Sequence, residues 1–142
     1  MDNRFKFLRT IAKQFSIEAI YAFGSMAKDA LRWISGEKEE ISFDLHSDLD
    51  IGVKPRPGRK LSVDQKVELT LALEDFFSAP RVDLVIIPEA DPFLAANIIR
   101  GERLYAEDEY LADEYDLYIL RRAGDCAPLE RERIALILGE DS

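Results

Sequence analysis

The sequence predicts an α/β (α+β) domain in which helices cover one small sheet. Three observations carry this. Apolar residues recur with helical spacing in some segments and strand spacing in others. The two kinds alternate along the chain in the order α-β-α-β-α-β-α-α, with three strands. The chain has 142 residues, 47% hydrophobic and 10% aromatic, which suits one domain with one core and not a disordered chain.

Each element has a local reason. Phe5, Leu8, Ile11, Ala12 and Phe15 recur at spacings of three and four, with Lys6, Arg9 and Lys13 opposite, so the first segment is a helix that Asp2 or Asn3 can cap. The run Ile17 to Phe23 reads as a mostly buried strand ended by Gly24-Ser25. The segment MAKDALRWI starts a helix at that turn, and ISGEKEE is a polar loop. Asp48 to Val53 forms a second strand, closed by KPRPGRK. Ser62 caps the clearest helix, in which Val63, Val67, Leu69, Leu71, Leu73, Phe76 and Phe77 cover an arc wide enough to pack across a sheet. RVDLVIIP is a third strand, stopped by Pro88. A short helix runs from after Asp91 to Gly101, and EDEYLADEYDLYILRRA forms another. Beyond Gly124, Pro128 to Leu138 is expected to make a short terminal helix, so residues 1–122 are read as the main domain and 123–142 as a tail.

Composition excludes several functions. One Cys and one His rule out a disulfide framework, a cysteine zinc site and a multi-His metal site. A formal net charge of -9 argues against direct duplex-DNA binding and a polybasic membrane anchor. No apolar run approaches a membrane span, and the charged N-terminus lacks a signal-peptide core, so a cytoplasmic protein is expected. Two openings remain for the carboxylates: a basic protein partner, or a site that gathers them on divalent metal.

Strand residues two apart share a face, so Asp48 and Asp50 present two carboxylates side by side while Leu49 and Ile51 point away. Asp83 interrupts an otherwise apolar strand, where an unpaired carboxylate costs several kcal/mol unless it has a task. If the strands are neighbours the three converge. Three hard oxygen ligands suit Mg²⁺, which takes the rest of its shell from water and substrate phosphates. Gly24-Ser25 lies at a strand-to-helix turn, where glycine admits a phosphate and the helix N–H groups with the Ser hydroxyl hold its oxygens.

In this order, FGSMAK, SDLDIGV and VDLVII resemble the minimal nucleotidyltransferase (MNT) family of the DNA polymerase β-like nucleotidyltransferase superfamily. The stretch FLAANIIRGERLYAEDEY is similar to that family's I-x-x-G-x-x-L-Y segment. The resemblance covers most of residues 1–122. It implies a small mixed sheet with helices on one face, Mg²⁺-ATP as donor, and AMP transfer to a hydroxyl. It also implies that Asp48, Asp50 and Asp83 form the catalytic metal site, with Gly24, Ser25 and Lys28 binding nucleotide. Many family members are antitoxin partners of a HEPN-domain ribonuclease toxin, so such a toxin is the implied partner. Here Lys28 and Asp29 replace the family's Arg and Gly, and the chain between Ser25 and Asp48 is longer than usual. The extra residues would form a lid or hairpin beside the site, or a partner surface. The leading expectation is a Mg²⁺-dependent enzyme that moves AMP from ATP to a protein hydroxyl; the alternative is a non-catalytic antitoxin that neutralises a basic HEPN-type partner by contact.

Overall fold

The computed structural model describes residues 2–44 and 46–138, with side chains described as far as Cys126. Five helices and four strands follow one another: α1 (Asp2–Gln14), β1 (Ile17–Phe23), α2 (Ala27–Ile34), β2 (Leu49–Pro55), α3 (Val63–Phe77), β3 (Val82–Ile86), α4 (Pro92–Ile99), β4 (Glu102–Ala106) and α5 (Glu109–Leu138). A single 3₁₀ turn, Ile87–Glu89, links β3 to α4. The sheet is mixed, in the order β3-β2-β1-β4. β1 lies antiparallel to both β2 and β4, and β2 runs parallel to β3.

Helices cover both faces of the sheet, not one. Alternation divides β1 between two cores. Ile20, Ala22, Leu49, Ile51 and Val53 meet α1, α2 and α3 through Leu8, Ala12, Ala30, Leu69, Leu73 and Phe77. Ala19, Tyr21 and Phe23 point the other way, to Ala95, Ala96, Ile98 and Ile99 of α4 and Ile119 and Ala123 of α5. Gly52 faces this second layer. A Cβ there would stand 2.5 Å from Ile98 Cγ2, so the missing side chain is what lets α4 sit on β2. Tyr21 donates its hydroxyl to Asp116, and Arg103 of β4 pairs with Glu109, Asp113 and Asp116, which straps α5 to the sheet.

Local capping holds as expected. The Ser62 hydroxyl accepts the Gln65 N–H while the Gln65 side chain accepts the Ser62 N–H, a reciprocal capping box. The Asp91 carboxylate accepts from Phe93 and Leu94 at the start of α4. Three expectations fail. Glu102–Ala106 is a fourth strand, held by pairing with β1. The second strand starts at Leu49 and runs on to Pro55, because Ile17 of β1 still pairs there. The last helix does not stop near Gly124: α5 is continuous for 30 residues through both Gly124 and Pro128. The side chains of the terminal apolar run 134–138 lie outside the described residues. Among the described residues nothing lies within 4 Å of the position of a Cβ on Gly124. Gly124→Ala should therefore raise stability by about 0.5–1 kcal/mol through helix propensity alone, readable as a higher Tm.

The long segment between α2 and β2 forms no hairpin: among its described residues none is in a strand. It is pinned to the first core. The Arg4 guanidinium donates to the carbonyls of Trp33 and Lys38 at 2.7 Å and of Glu39 at 2.9 Å. It also stacks 4.6 Å from the Trp33 ring centroid. Ile41 and Phe43 pack against the same core. The segment ends in a turn in which the Asp44 carboxylate accepts from the His46 N–H at 2.8 Å and from the Ser47 hydroxyl at 2.9 Å. His46 thus belongs to the turn that leads into Asp48.

Candidate active site

The site residues come together where β1 ends and β2 and β3 begin. Asp50 and Asp83 are direct register partners on neighbouring parallel strands. Their side chains share the face that carries α4 and α5, since Leu49 and Ile51 occupy the other. Register pairing sets the two carboxyl groups side by side on that face. Partial burial, then the charges of Asp83 and Asp48, push the Asp50 carboxyl above its ordinary value. Asp48 lies just before β2, exposed, with Oδ1 3.7 Å from Arg81 Nε.

Gly24 follows the last residue of β1 and has φ +77°. A side chain is excluded there twice over. The left-handed backbone favours glycine, and a Cβ would fall under 3.0 Å from Asp50 Oδ2. The turn therefore lies directly against the carboxylate pair. Ser25 is exposed beside it, and α2 begins at Ala27 with no side-chain cap on its free N–H groups. Lys28, in the first turn of α2, is exposed and makes no ion pair among the described residues, whereas its neighbour Asp29 holds Lys38 at 3.0 Å.

A groove of about 330 Å³ opens at this turn. Gly24, Ser25 and Lys28 form one side, and Asn97, Arg100 and Glu102 form the other. The second wall was not identified from the sequence, although Gly101 in the I-x-x-G-x-x-L-Y stretch marks its cause. A Cβ on Gly101 would come under 3.0 Å from the Ala22 carbonyl oxygen, so only glycine lets the α4–β4 turn close onto the end of β1. That approach brings Arg100 into the same groove as Ser25. Arg56, another basic residue after β2, is instead bound to Glu107 and lies at the far end of the strand.

The donor set suits a hard divalent cation: carboxylate oxygens only, two of them in register and mutually repelling. As placed, no three His, Cys, Asp or Glu side chains among the described residues enclose a metal-sized space. The contact of Asp48 with Arg81 is exposed and long, hence weak and easily exchanged for a cation.

The model of the polymerase β nucleotidyltransferase family matches residues 6–110. The chain belongs to that family. The matched span runs from α1 through β4, so it contains both the Gly-Ser turn and the three carboxylates of this nucleotidyltransferase. Solved structures agree in fold. A chain of a toxin–antitoxin complex with AMP-PNP is 19% identical with a TM-score of 0.63, over 94% of this chain and 94% of that one. A complex of a tri-AMPylated Shewanella oneidensis HEPN toxin with its MNT antitoxin gives 19% identity and a TM-score of 0.63 over 96% of each chain. A minimal nucleotidyltransferase is 25% identical over 70% of this chain and 86% of that chain, with a TM-score of 0.50. No curated protein matches significantly. No helix among the described residues is long and apolar enough to cross a membrane.

Proposed function

We propose that this nucleotidyltransferase transfers AMP from ATP to a hydroxyl of a partner protein, and that the partner is a HEPN-domain toxin for which the chain is the antitoxin. The observation that carries the chemistry is the register pair Asp50–Asp83 with Gly24 of the phosphate turn pressed against Asp50. Asp48, Asp50 and Asp83 would hold Mg²⁺, which when bound neutralises phosphate charge and polarises the α-phosphate. The Gly24–Ser25 turn and the N–H groups at the start of α2 hold the phosphate oxygens, and Lys28 adds a positive charge at the same groove. Asp83, the more exposed of the paired carboxylates, takes the proton of the acceptor hydroxyl. The acceptor oxygen then bonds to the α-phosphorus, the bond to the β-phosphate oxygen breaks, and pyrophosphate leaves.

The partner reading draws on the net charge of -9 and on the fold shared with antitoxin chains whose toxin is AMPylated. Incubation with Mg²⁺, α-labelled ATP and a HEPN-domain toxin should place label on the toxin, and omission of Mg²⁺ should abolish it. A tight complex that never acquires label would replace the proposal with neutralisation by contact.

A further inference from the structure

β3 is an outer strand of the sheet, and half of its backbone faces away from β2. The Leu49 N–H donates to the Arg81 carbonyl at 3.0 Å, which sets the phase of the ladder. In a parallel pair, alternate residues turn both backbone groups to one neighbour, so Asp83 and Val85 face β2 while Val82, Leu84 and Ile86 face outward. The Val82 N–H agrees: it donates sideways to the Glu74 carboxylate at 3.0 Å. The Leu84 N–H and carbonyl and the Ile86 N–H have no partner among the described residues.

A groove of about 610 Å³ runs along this edge. Its wall is the side of α3 that the sequence assigned to packing on the sheet. Leu69, Leu73 and Phe77 do pack there, but Val63, Val67 and Leu71 remain 76%, 53% and 58% exposed. These three recur every four residues and form an apolar stripe beside an open strand edge. Of the charged groups lining the groove, Lys66 and Glu89 pair with each other at 2.9 Å, which leaves the negative charge of Glu74, and Asp83 is the second residue of the strand.

We infer that this edge docks an extended segment of a partner protein, with apolar and basic side chains alternating, which adds as a further strand on β3. Open backbone donors and acceptors select an extended chain over a helix. Alternation places apolar side chains against Val67 and Leu71 and basic ones on the opposite face, which carries Asp83. The added strand passes beside Asp83 and so leads to the carboxylate pair. That the segment delivers the acceptor hydroxyl rests on the AMP-transfer reading; the docking itself does not.

The test is titration of the isotope-labelled full chain with a short synthetic peptide alternating Val and Lys, followed by amide NMR and hydrogen exchange. The Leu84 and Ile86 amides should shift and exchange more slowly, and a Val/Glu peptide should have no such effect. Leu71→Lys should weaken binding about tenfold without lowering the melting temperature. No response at these amides, a response centred elsewhere, or equal affinity in Leu71→Lys overturns the inference. Concentration-dependent protection of the same amides in the free chain also overturns it, in favour of self-association. Asp50→Asn separates the two readings: it should remove AMP transfer and leave peptide binding intact.

Discussion

Asp50→Asn is expected to lower AMP transfer by about three orders of magnitude and to stabilise the fold slightly. The two effects have one cause. Asp50 stands directly across the ladder from Asp83, and like charges in that position repel. The fold also withdraws part of the Asp50 carboxylate from water, which disfavours its charge further. Asparagine keeps the shape and removes the charge, so the gain should be about 0.5 kcal/mol, small because much of the carboxylate stays hydrated. Label transfer and the urea midpoint, measured on the same preparation, decide the matter. If stability falls together with activity, Asp50 is a structural residue and the active-site assignment fails.

Gly101→Ala should produce the largest loss of stability, about 3 kcal/mol. The added Cβ would come under 3.0 Å from the Ala22 carbonyl, 3.0 Å from Phe23 Cβ and 3.1 Å from the Ile98 carbonyl. Two of these three neighbours are backbone atoms, so no rotamer change relieves them. β4 pairs with β1 at this point, and the clash therefore forces strand and helix end apart. The urea midpoint should drop with an unchanged slope, and nucleotide affinity should fall as Arg100 moves away from Ser25. A midpoint within experimental error of the parent would show that the α4–β4 turn is free to shift.

Most of the elements were legible because their causes are local. The spacing of Leu8, Ala12 and Phe15, the Ser62 and Asp91 caps and the Gly24-Ser25 stop act between near neighbours in sequence. The fourth strand was not legible. In GERLYA the two buried residues, Leu104 and Tyr105, are adjacent rather than alternate, so no strand period appears. Its register with β1 shifts between Ile20 and Tyr21, and that irregularity accommodates the adjacent pair. The continuity of α5 was obscured by Gly124 and Pro128, both local helix breakers. Ile119 and Ala123 pack this helix on the second core up to Gly124, where tertiary packing outweighs the helix penalty of a glycine.

The candidate site divides in the same way. The sequence by itself singled out the residues proposed to carry the chemistry: an Asp-x-Asp entering a strand, an Asp inside an apolar strand, and a Gly-Ser turn ahead of a helix. Those identities follow from what phosphate and a hard cation require of a side chain. Only the tertiary structure decided their partners. It set Asp83 across from Asp50, pressed Gly24 against that carboxylate, brought Arg100 into the same groove as Ser25 and left one side of α3 bare beside β3. Each of these depends on strand order and register. Register is settled by contacts between residues far apart in the chain, and no local spacing records it.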